Sequence, residues 1–395
     1  MHKTQSQWSK IFQSPVMATA LAMFAMLFGS GNIVLPLGLG KDLGDMALYA
    51  MFGFFATAVM VPVVGILAMA LFNGDYRAFM ARIGKIPAAI VIFLCFALIG
   101  PLCVIPRCIA LSHAALQWLI PQLTLLQFSL ISALLIFGAT MRKSSVIVLM
   151  SRVLGPLKLI LLSVVIIKGI FMTTAIVPCA LEGWTAFKQG IFAGYNTLDL
   201  LAVIFSTGLL LSGVTHDASG RQRSQREMMQ ILVKAGICGA LLLGILYAGF
   251  VVVASMQSGA EACLGAQEEQ LLSILAAIIL GAGGGALASI TMVIACSTTA
   301  IGVTTIFAEY LSTELPRGWL SYRAALIITI ILSAILANYG WMGIKNLVLP
   351  FVFVLYPGLI MLALTHIAER VFRVRLGAIP FYLTVAGTFV LRMIR

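Results

Sequence analysis

Charged residues are scarce in this chain, at 10% of 395 residues, whereas a soluble protein of ordinary composition carries about 25%. That scarcity argues against a domain folded around one core in water. Long polar segments are also missing, because the largest polar loop, 215–230, is too short for a nucleotide-binding or sensor domain. The sequence has no Walker-type glycine loop either, so we expect neither ATP coupling nor an ATP-binding subunit.

Cysteine pairs and metal-binding clusters are absent from the sequence. The seven cysteines show no CxxC spacing and most lie in apolar runs, where cysteine behaves as a small hydrophobe. The four histidines stand apart, so we expect no disulfide, no resident metal and no cofactor. An intramembrane enzyme should show clustered His, Asp or Glu inside its spans, and Asp199 is the one acid that lies away from the end of a span. We therefore expect no enzyme, with a membrane-embedded enzyme or scaffold as the alternative from another class.

Hydrophobicity is what the chain has in abundance, with 61% hydrophobic residues and a mean hydropathy of +1.08. Apolar runs of about 20 residues recur along it, and the alternation of a lipid-facing barrel is absent. The sequence thus predicts an all-α polytopic membrane protein, one transmembrane domain over 1–395. The eleven expected spans are 14–39, 46–72, 87–117, 122–140, 146–172, 191–213, 230–256, 271–311, 319–337, 341–365 and 376–394. The glycines at 281–285 should divide a short outer helix from the eighth span proper.

The net charge of +12 does not require an acidic partner such as nucleic acid. With the N-terminus placed inside, 18 of the 25 Lys and Arg residues fall in inner segments and six in outer ones, while Arg107 lies within a span. This bias predicts a cytoplasmic N-terminus. The basic excess then faces membrane lipid at the inner leaflet, and no nucleic-acid partner is expected.

The stretch FGSGNIVLP, residues 28–36, interrupts the first apolar run. Its two glycines, its serine and Asn32 weaken a helix, and Pro36 cannot donate a helical hydrogen bond. Broken helices near the bilayer midplane are the usual construction of a secondary transporter's binding site. Close helix packing through small residues is the alternative. Asn32 and Pro36 together with the glycines favour a break.

A second interruption is expected in the sixth span, because such transporters are built from two repeats. Ser206, Thr207 and Gly208 lie at its middle. Each repeat contains five spans, which is an odd number of membrane crossings. The second repeat therefore begins on the opposite side of the membrane from the first, and the breaks in spans 1 and 6 should face each other. The first repeat covers 14–172, the second covers 191–365, and 376–394 remains as an extra C-terminal helix.

Asp199 and Arg107 fall within the expected spans, where charge is costly and usually functional. Asp199 precedes Ser206 by about 10 Å of helix, which predicts a position in the outer part of span 6. It is either an ion-coupling or gating carboxylate or an interfacial residue that caps the YNT turn. Arg107 either lines an outer vestibule or extends its long side chain to the outer interface, and the second explanation is slightly favoured. Pro101 and Pro106 argue against a straight third span.

Thr298 and Thr299 lie in the eighth span. With the carbonyl of Ala295, their hydroxyls could present three oxygens to a hard cation. Threonine hydroxyls in helices also bond to carbonyls of the preceding turn, and chemistry alone favours that explanation.

Five segments in order resemble the signature segments of the branched-chain amino acid:cation symporters, the LIVCS or LIV-II family. They are FGSGNIVLPLGLG (28–40), GPLCVIPR (100–107), GYNTLDLLAVIFSTG (194–208), ACSTTAIGV (295–303) and LPFVFVLYPGLI (349–360). The resemblance extends from about residue 14 to 365. It implies the amino acid–polyamine–cation superfamily and a LeuT-like five-plus-five inverted repeat, with helices 1 and 6 broken.

The resemblance also implies two sites. Unwound parts of spans 1 and 6 should hold the substrate's amino and carboxylate groups, and spans 3, 6 and 8 should line an apolar pocket for its side chain. The implied substrate-binding residues are Phe28, Gly29, Ser30, Gly31, Asn32, Ile105, Phe205, Ser206, Thr207 and Gly208. The implied sodium-binding residues are Ala25, Phe28, Ala295, Thr298 and Thr299. The chain departs from the family at Ser206, near which a glycine is usual, and in having eleven spans where twelve are common.

These expectations describe a secondary transporter of the bacterial inner membrane. It should import leucine, isoleucine or valine with Na⁺ by alternating access, and Asp199 and Arg107 are candidates for coupling or gating. A proton-coupled carrier of another neutral amino acid, with Asp199 as the proton site, is the alternative.

Overall fold

The computed structural model describes residues 14–117, 119–141, 155–172, 174, 176–216, 220–314 and 320–393. Apart from one isolated bridge between His216 and Gln222, the regular structure of these residues is helical. The helices are α1 (Pro15–Leu27), α2 (Ser30–Leu43), α3 (Ala47–Phe55), α4 (Val61–Leu71), α5 (Tyr76–Met80), α6 (Lys85–Ile99), α7 (Val104–Leu116), α8 (Leu125–Thr140), α9 (Gly155–Ile170), α10 (Gly183–Tyr195), α11 (Asp199–Ser212), α12 (Gln225–Met256), α13 (Glu261–Leu264), α14 (Leu271–Leu280), α15 (Ala282–Glu314), α16 (Tyr322–Ala337), α17 (Gly340–Phe372) and α18 (Ile379–Met393).

Six helical stretches among the described residues are long and apolar enough to cross a membrane. They are Ser30–Leu71, Lys85–Leu116, Gly183–Ser212, Gln225–Met256, Ala282–Glu314 and Gly340–Phe372. Shorter apolar helices of 10–17 residues, α1, α8, α16 and α18 among them, accompany these. Each expected span coincides with one or more helices where the structure describes it, and residues 146–154 of the fifth lie outside the described residues.

Several spans consist of two helices separated by a short break. Span 1 breaks between α1 and α2, as the glycine-rich stretch predicts. Span 3 breaks at 100–103, between α6 and α7, where Pro101 argues against a straight helix. Gly281 separates α14 from α15 with φ of +81°, a left-handed conformation that glycine adopts without strain. The expected division of the eighth span is confirmed.

One end of the bundle holds arginines from several segments in ion pairs with glutamates. We call the end that carries residues 73–84 and 309–314 the basic end. There Arg77 pairs with Glu314, Arg82 pairs with Glu369, and the Tyr382 hydroxyl donates to the Ile83 carbonyl at 2.5 Å. This is the end that the positive-inside rule assigns to the cytoplasm. At the opposite end, Lys41 donates to the Ala266 carbonyl at 2.7 Å.

Small residues let the helices around the first span approach closely. A Cβ on Gly40 of α2 would lie 2.3 Å from the Val251 carbonyl of α12, and one on Gly190 of α10 would lie 1.9 Å from the Ala50 carbonyl of α3. Helix α12 packs along both α1 and α2, while α15 packs against α1 and α7. The broken first span is therefore enclosed by α7, α12 and α15, and its break lies deep in the protein.

Candidate functional site

The break in span 1 is a single tight turn. The Gly29 amide donates to the Leu27 carbonyl at 2.8 Å, and Phe28 has φ −74° and ψ 82°, which is close to an inverse γ-turn. Phe28 is fully buried and stacks on Phe24 at 5.0 Å between ring centroids. Helix α2 then starts at Ser30, so the amides of its first turn have no partners within the helix. Pro36 cannot donate to the carbonyl of Asn32.

The break in span 6 lies at residues 196–198, between α10 and α11. The expectation that Phe205, Ser206, Thr207 and Gly208 are unwound is wrong, because all four lie inside α11. The Thr207 hydroxyl donates to the Val203 carbonyl at 2.6 Å, so it bonds within its own helix. Gly208 keeps the helical conformation, with nothing within 4 Å of an added Cβ.

The two breaks meet through Asn32 and Asp199. The Asn32 amide Nδ2 donates to both carboxylate oxygens of Asp199, at 3.0 and 2.8 Å, and to the Tyr247 hydroxyl. Tyr247, on α12, also donates to Asp199, at 3.3 Å. Asp199 is 1% exposed and is the first residue of α11, where the helix dipole favours negative charge. It therefore lies at the junction of the two breaks, and its burial contradicts the interpretation of a solvated interfacial residue.

Arg107 joins the third span to both breaks. Its Nη1 donates to the Asn196 carbonyl at 2.8 Å, and its Nε donates to the Ser30 hydroxyl at 3.3 Å. The residue is 5% exposed and lies in the first turn of α7. The interpretation that its side chain extends to the membrane interface is therefore wrong. Ile105, in the same turn, is fully buried.

The glycines at the first break permit this close assembly. A Cβ on Gly31 would lie 2.2 Å from Nη2 of Arg107, and one on Gly29 would lie 2.6 Å from Oγ1 of Thr299. Both positions therefore need glycine for space, and each one lies against a side chain that the sequence had marked for function.

Oxygen atoms from α1 and α15 meet beside the first break. The Thr298 hydroxyl lies 3.4 Å from the Ala25 carbonyl and 2.8 Å from the Ala295 carbonyl. The Thr299 hydroxyl lies 3.2 Å from the Met26 carbonyl. Sequence reasoning had named Ala25, Ala295 and both threonines, and the structure brings them together. Hydroxyl and carbonyl oxygens are the ligands that a hard monovalent cation prefers.

A cavity of about 490 Å³ opens at the basic end of the bundle. Phe205 and Gly208 line it together with Asp75, Arg77 and Glu309. Its deep wall is an aromatic layer, in which the Phe96 ring lies 4.4 Å from that of Phe205 and 4.1 Å from that of Tyr310. The cavity thus leads from the basic end toward the inner half of span 6.

The opposite end is closed by a cluster that we call the outer seal, made of Glu268, Trp341, Lys345 and Arg107. The Trp341 indole donates to Glu268 at 3.1 Å, and Lys345 pairs with Glu268 at 3.3 Å. The Arg107 guanidinium lies 5.1 Å from the Trp341 ring centroid, within cation–π range. A cavity of about 270 Å³ lies at this end and is lined by Glu268, Lys345 and Asn196. The space among Arg107, Trp341 and Leu198 is only about 10 Å³, so the route narrows sharply at the seal.

Sequence reasoning missed Tyr247, Asn196 and three residues of the outer seal, Glu268, Trp341 and Lys345. Tyr247 had a usable signal, since its hydroxyl stands in the apolar run LLLGILYAGF and a buried hydroxyl needs a partner. Asn196 acts through its backbone carbonyl, which side-chain chemistry cannot reveal. The seal joins residues that are more than 70 positions apart.

Residues 13–394 match the family model described as branched-chain amino acid transport protein. The chain is 28% identical over 361 residues to the branched-chain amino acid permease BraB of Bacillus subtilis, covering 89% of this chain and 80% of that protein. It is also 28% identical over 356 residues to the permease BrnQ of Escherichia coli K12, covering 87% of this chain and 77% of that protein.

Solved structures with a similar fold include Mhp1, a nucleobase-cation-symport-1 family transporter. Its inward-facing conformation matches with a TM-score of 0.62 and 14% identity, over 90% of this chain and 77% of that one. A Na⁺-coupled sialic acid symporter matches with a TM-score of 0.56 and 13% identity, over 92% and 82% of the two chains. Both have the LeuT-like fold, and at these identities the likeness establishes the fold alone.

Proposed function

Because the chain belongs to the branched-chain amino acid transport protein family, we propose that it imports leucine, isoleucine or valine across a bacterial inner membrane by Na⁺ symport. The family is one of transporters and not of enzymes. The relatives BraB and BrnQ are branched-chain amino acid permeases, and this supports the substrate class. Alternating access is the mechanism that its LeuT-like fold supports.

The observation that carries Na⁺ coupling is the oxygen cluster between α1 and α15. The hydroxyls of Thr298 and Thr299 lie within 3.4 Å of carbonyl oxygens of α1. Helix α1 is the helix that ends at the first break. An ion bound there would fix α1 against α15. It would thereby favour one geometry of the break and couple ion binding to substrate binding.

The structure corresponds to a conformation that opens toward the cytoplasm, if the basic end faces inward as the charge bias predicts. The cavity of about 490 Å³ lies at that end, and the outer seal closes the other. Import then requires the reverse arrangement as well, in which the seal opens and the aromatic layer of Phe96, Phe205 and Tyr310 closes the inner route.

The test is uptake of labelled leucine into proteoliposomes with gradients imposed one at a time. An inward Na⁺ gradient at equal pH should drive accumulation, and a proton gradient without Na⁺ should not. Unlabelled isoleucine and valine should compete, whereas lysine and glutamate should not. Accumulation driven by protons alone would contradict Na⁺ coupling.

A proton-coupled carrier of a neutral amino acid is the second candidate function, and Asp199 supports it. This carboxylate is buried at the junction of the two breaks and bonds to groups from α2 and α12, so its protonation would change contacts that join three helices. Under that alternative, Asp199→Asn should abolish accumulation but leave exchange of internal for external substrate intact.

A further inference from the structure

We propose that Arg107 and Asp199 form a pair of recognition sites for the two charges of the amino-acid substrate. The guanidinium of Arg107 takes the α-carboxylate, and the carboxylate of Asp199 takes the α-ammonium. The inference rests on the proposed function and adds the groups that decide which class of small molecule is accepted.

Both side chains are buried, and among the described residues neither forms an ion pair. Arg107 donates to the Asn196 carbonyl, to the Ser30 hydroxyl and, at 3.9 Å, to the Cys103 sulfur, all of them neutral. Asp199 accepts from the neutral groups of Asn32 and Tyr247. The ion pairs within 4 Å in the described ranges involve other groups. An unpaired charge in a membrane protein's interior costs several kcal/mol, so each of these groups gains from a charged ligand.

The two charges flank one turn of the chain, which is the first turn of α2. Arg107 contacts it at Ser30 and fills the space beside Gly31, while Asp199 contacts it at Asn32. Their charges are also near enough to interact, although they form no direct ion pair. An α-amino acid carries its carboxylate and its ammonium on one carbon. Such a zwitterion placed against this turn offers each buried charge its opposite and leaves the net charge of the site unchanged.

A buried hydroxyl also lies on the same helix as Asp199, about 10 Å away. Ser206 is 1% exposed, and its Oγ has no hydrogen-bond partner among the described residues. It follows Asp199 by seven residues, two turns, on the same face of α11. Buried polar atoms are nearly always hydrogen-bonded, but the aliphatic side chain of leucine cannot supply this contact, so the proposal depends on Arg107 and Asp199 and not on Ser206.

The proposal is tested with ligands that lack one charge each, measured by direct binding to purified protein in saturating Na⁺. Leucine carries both charges, 4-methylpentanoate lacks the ammonium, and 3-methylbutylamine lacks the carboxylate. In Asp199→Asn the affinity for leucine and for the amine should fall roughly 10- to 100-fold, while that for the acid stays unchanged. In Arg107→Gln the affinity for leucine and for the acid should fall by a similar factor, while that for the amine stays unchanged.

Two exposed charges provide matched controls. Asp42→Asn and Arg323→Gln remove the same charges from surface positions, and all three affinities should match the wild type. Asp199→Glu and Arg107→Lys keep the charges, so they should keep the preference for leucine over both analogues even where binding weakens. These two variants separate recognition of charge from a loss of folding.

Three results would overturn the inference. In Asp199→Asn and Arg107→Gln, the affinities for all three ligands could fall by one common factor, or none of the three affinities could change. Alternatively, Asp199→Asn could shift only the ion dependence, which would make Asp199 a coupling group and not a ligand for the substrate. A wild type that binds leucine, with unchanged ratios in the variants, contradicts only this inference. A wild type that binds no branched-chain amino acid contradicts the proposed function as well.

Discussion

Adjacent threonines on α15 reach two successive carbonyls of α1. Thr298 lies beside the Ala25 carbonyl and Thr299 beside the Met26 carbonyl, although 273 positions separate each pair along the chain. The hydroxyl of Thr298 also bonds to its own helix, at Ala295, as an ordinary helical threonine does. Local chemistry alone could not distinguish a cation-binding threonine from one that bonds only within its own helix, because the decisive carbonyls belong to a distant segment. The family resemblance pointed to the assembled set.

Replacing either threonine by valine removes one proposed oxygen ligand while it keeps the shape of the side chain. We expect Thr298→Val and Thr299→Val to raise the Na⁺ concentration for half-maximal uptake by about 5- to 150-fold, corresponding to roughly 1–3 kcal/mol. Leucine affinity should fall at low Na⁺ and recover partly at high Na⁺, because the coupling is reciprocal. Uptake measured over a matrix of Na⁺ and leucine concentrations checks this.

Thr291→Val is the matched control on the same helix. Its hydroxyl donates to the Leu287 carbonyl of its own helix at 2.7 Å, so the variant should keep the wild-type Na⁺ dependence. If Thr298→Val and Thr299→Val behave like this control, the cation site lies elsewhere, and Asp199 is the first place to search.

Gly29 and Gly31 occupy positions where any side chain collides with a functional neighbour. Leucine at either position should abolish uptake while the protein still reaches the membrane, because the new Cβ would meet Thr299 or Arg107 within 2.6 Å. Gly138→Leu should keep uptake, since nothing lies within 4 Å of an added Cβ there. Uptake of labelled leucine, normalised to membrane content, is the measurement. Normal uptake by both variants would show that these glycines serve only helix packing.

At the scale of elements, the sequence predicted the break in span 1 but misplaced the break in span 6. The first break carries two glycines and a proline, which are local signals. The second is formed by Asn196, Thr197 and Leu198, and Leu198 has φ of +62°, a conformation that leucine rarely adopts. Ser206, Thr207 and Gly208 misled the prediction, because threonine satisfies its hydroxyl within the helix and glycine is tolerated in membrane helices.

The outer seal links the loop before α14 to α17, and it should control access from outside. Glu268→Gln removes the negative charge to which both Lys345 and the Trp341 indole bind. The seal should then open more often, because the amide holds Lys345 less strongly than the carboxylate does. We expect a cysteine at Val348, which lines the small space beneath Trp341, to react several-fold faster with an impermeant maleimide applied outside.

Glu261→Gln serves as the control for the seal, since Glu261 is an exposed residue of α13. The experiment uses a background in which serine replaces Cys179, which is partly exposed, and Cys103, which lines the same small space as Val348. An unchanged reaction rate in Glu268→Gln would show that the cluster does not limit access from this side.

For the whole molecule, the sequence predicted the all-helical membrane class from apolar runs alone, while the eleven crossings stay a prediction. What it could not give was the mutual placement of the spans, because the contacts of Arg107, Asn32 and Tyr247 depend on how distant helices pack. The orientation in the membrane is likewise a property of the entire chain, since it follows from the distribution of basic residues.

The predicted orientation places the loop 257–270 outside and the loop 215–230 inside. In intact cells, an impermeant thiol reagent should label a cysteine at Glu268 and leave one at Arg223 unlabelled until the membrane is opened. Both residues lie in polar connections between the long helices. The reverse labelling pattern would invert the topology and would turn the cavity at the basic end into an external one.

The oxygen cluster between α1 and α15 also sets a limit on how steeply the protein can concentrate its substrate. If it carries one Na⁺ per cycle, a tenfold sodium gradient contributes about 1.4 kcal/mol, and a membrane potential of 100 mV contributes about 2.3 kcal/mol. A zwitterion adds no net charge, so the two terms together support an accumulation ratio of about 500. Collapsing the potential alone should lower the steady-state ratio to about ten.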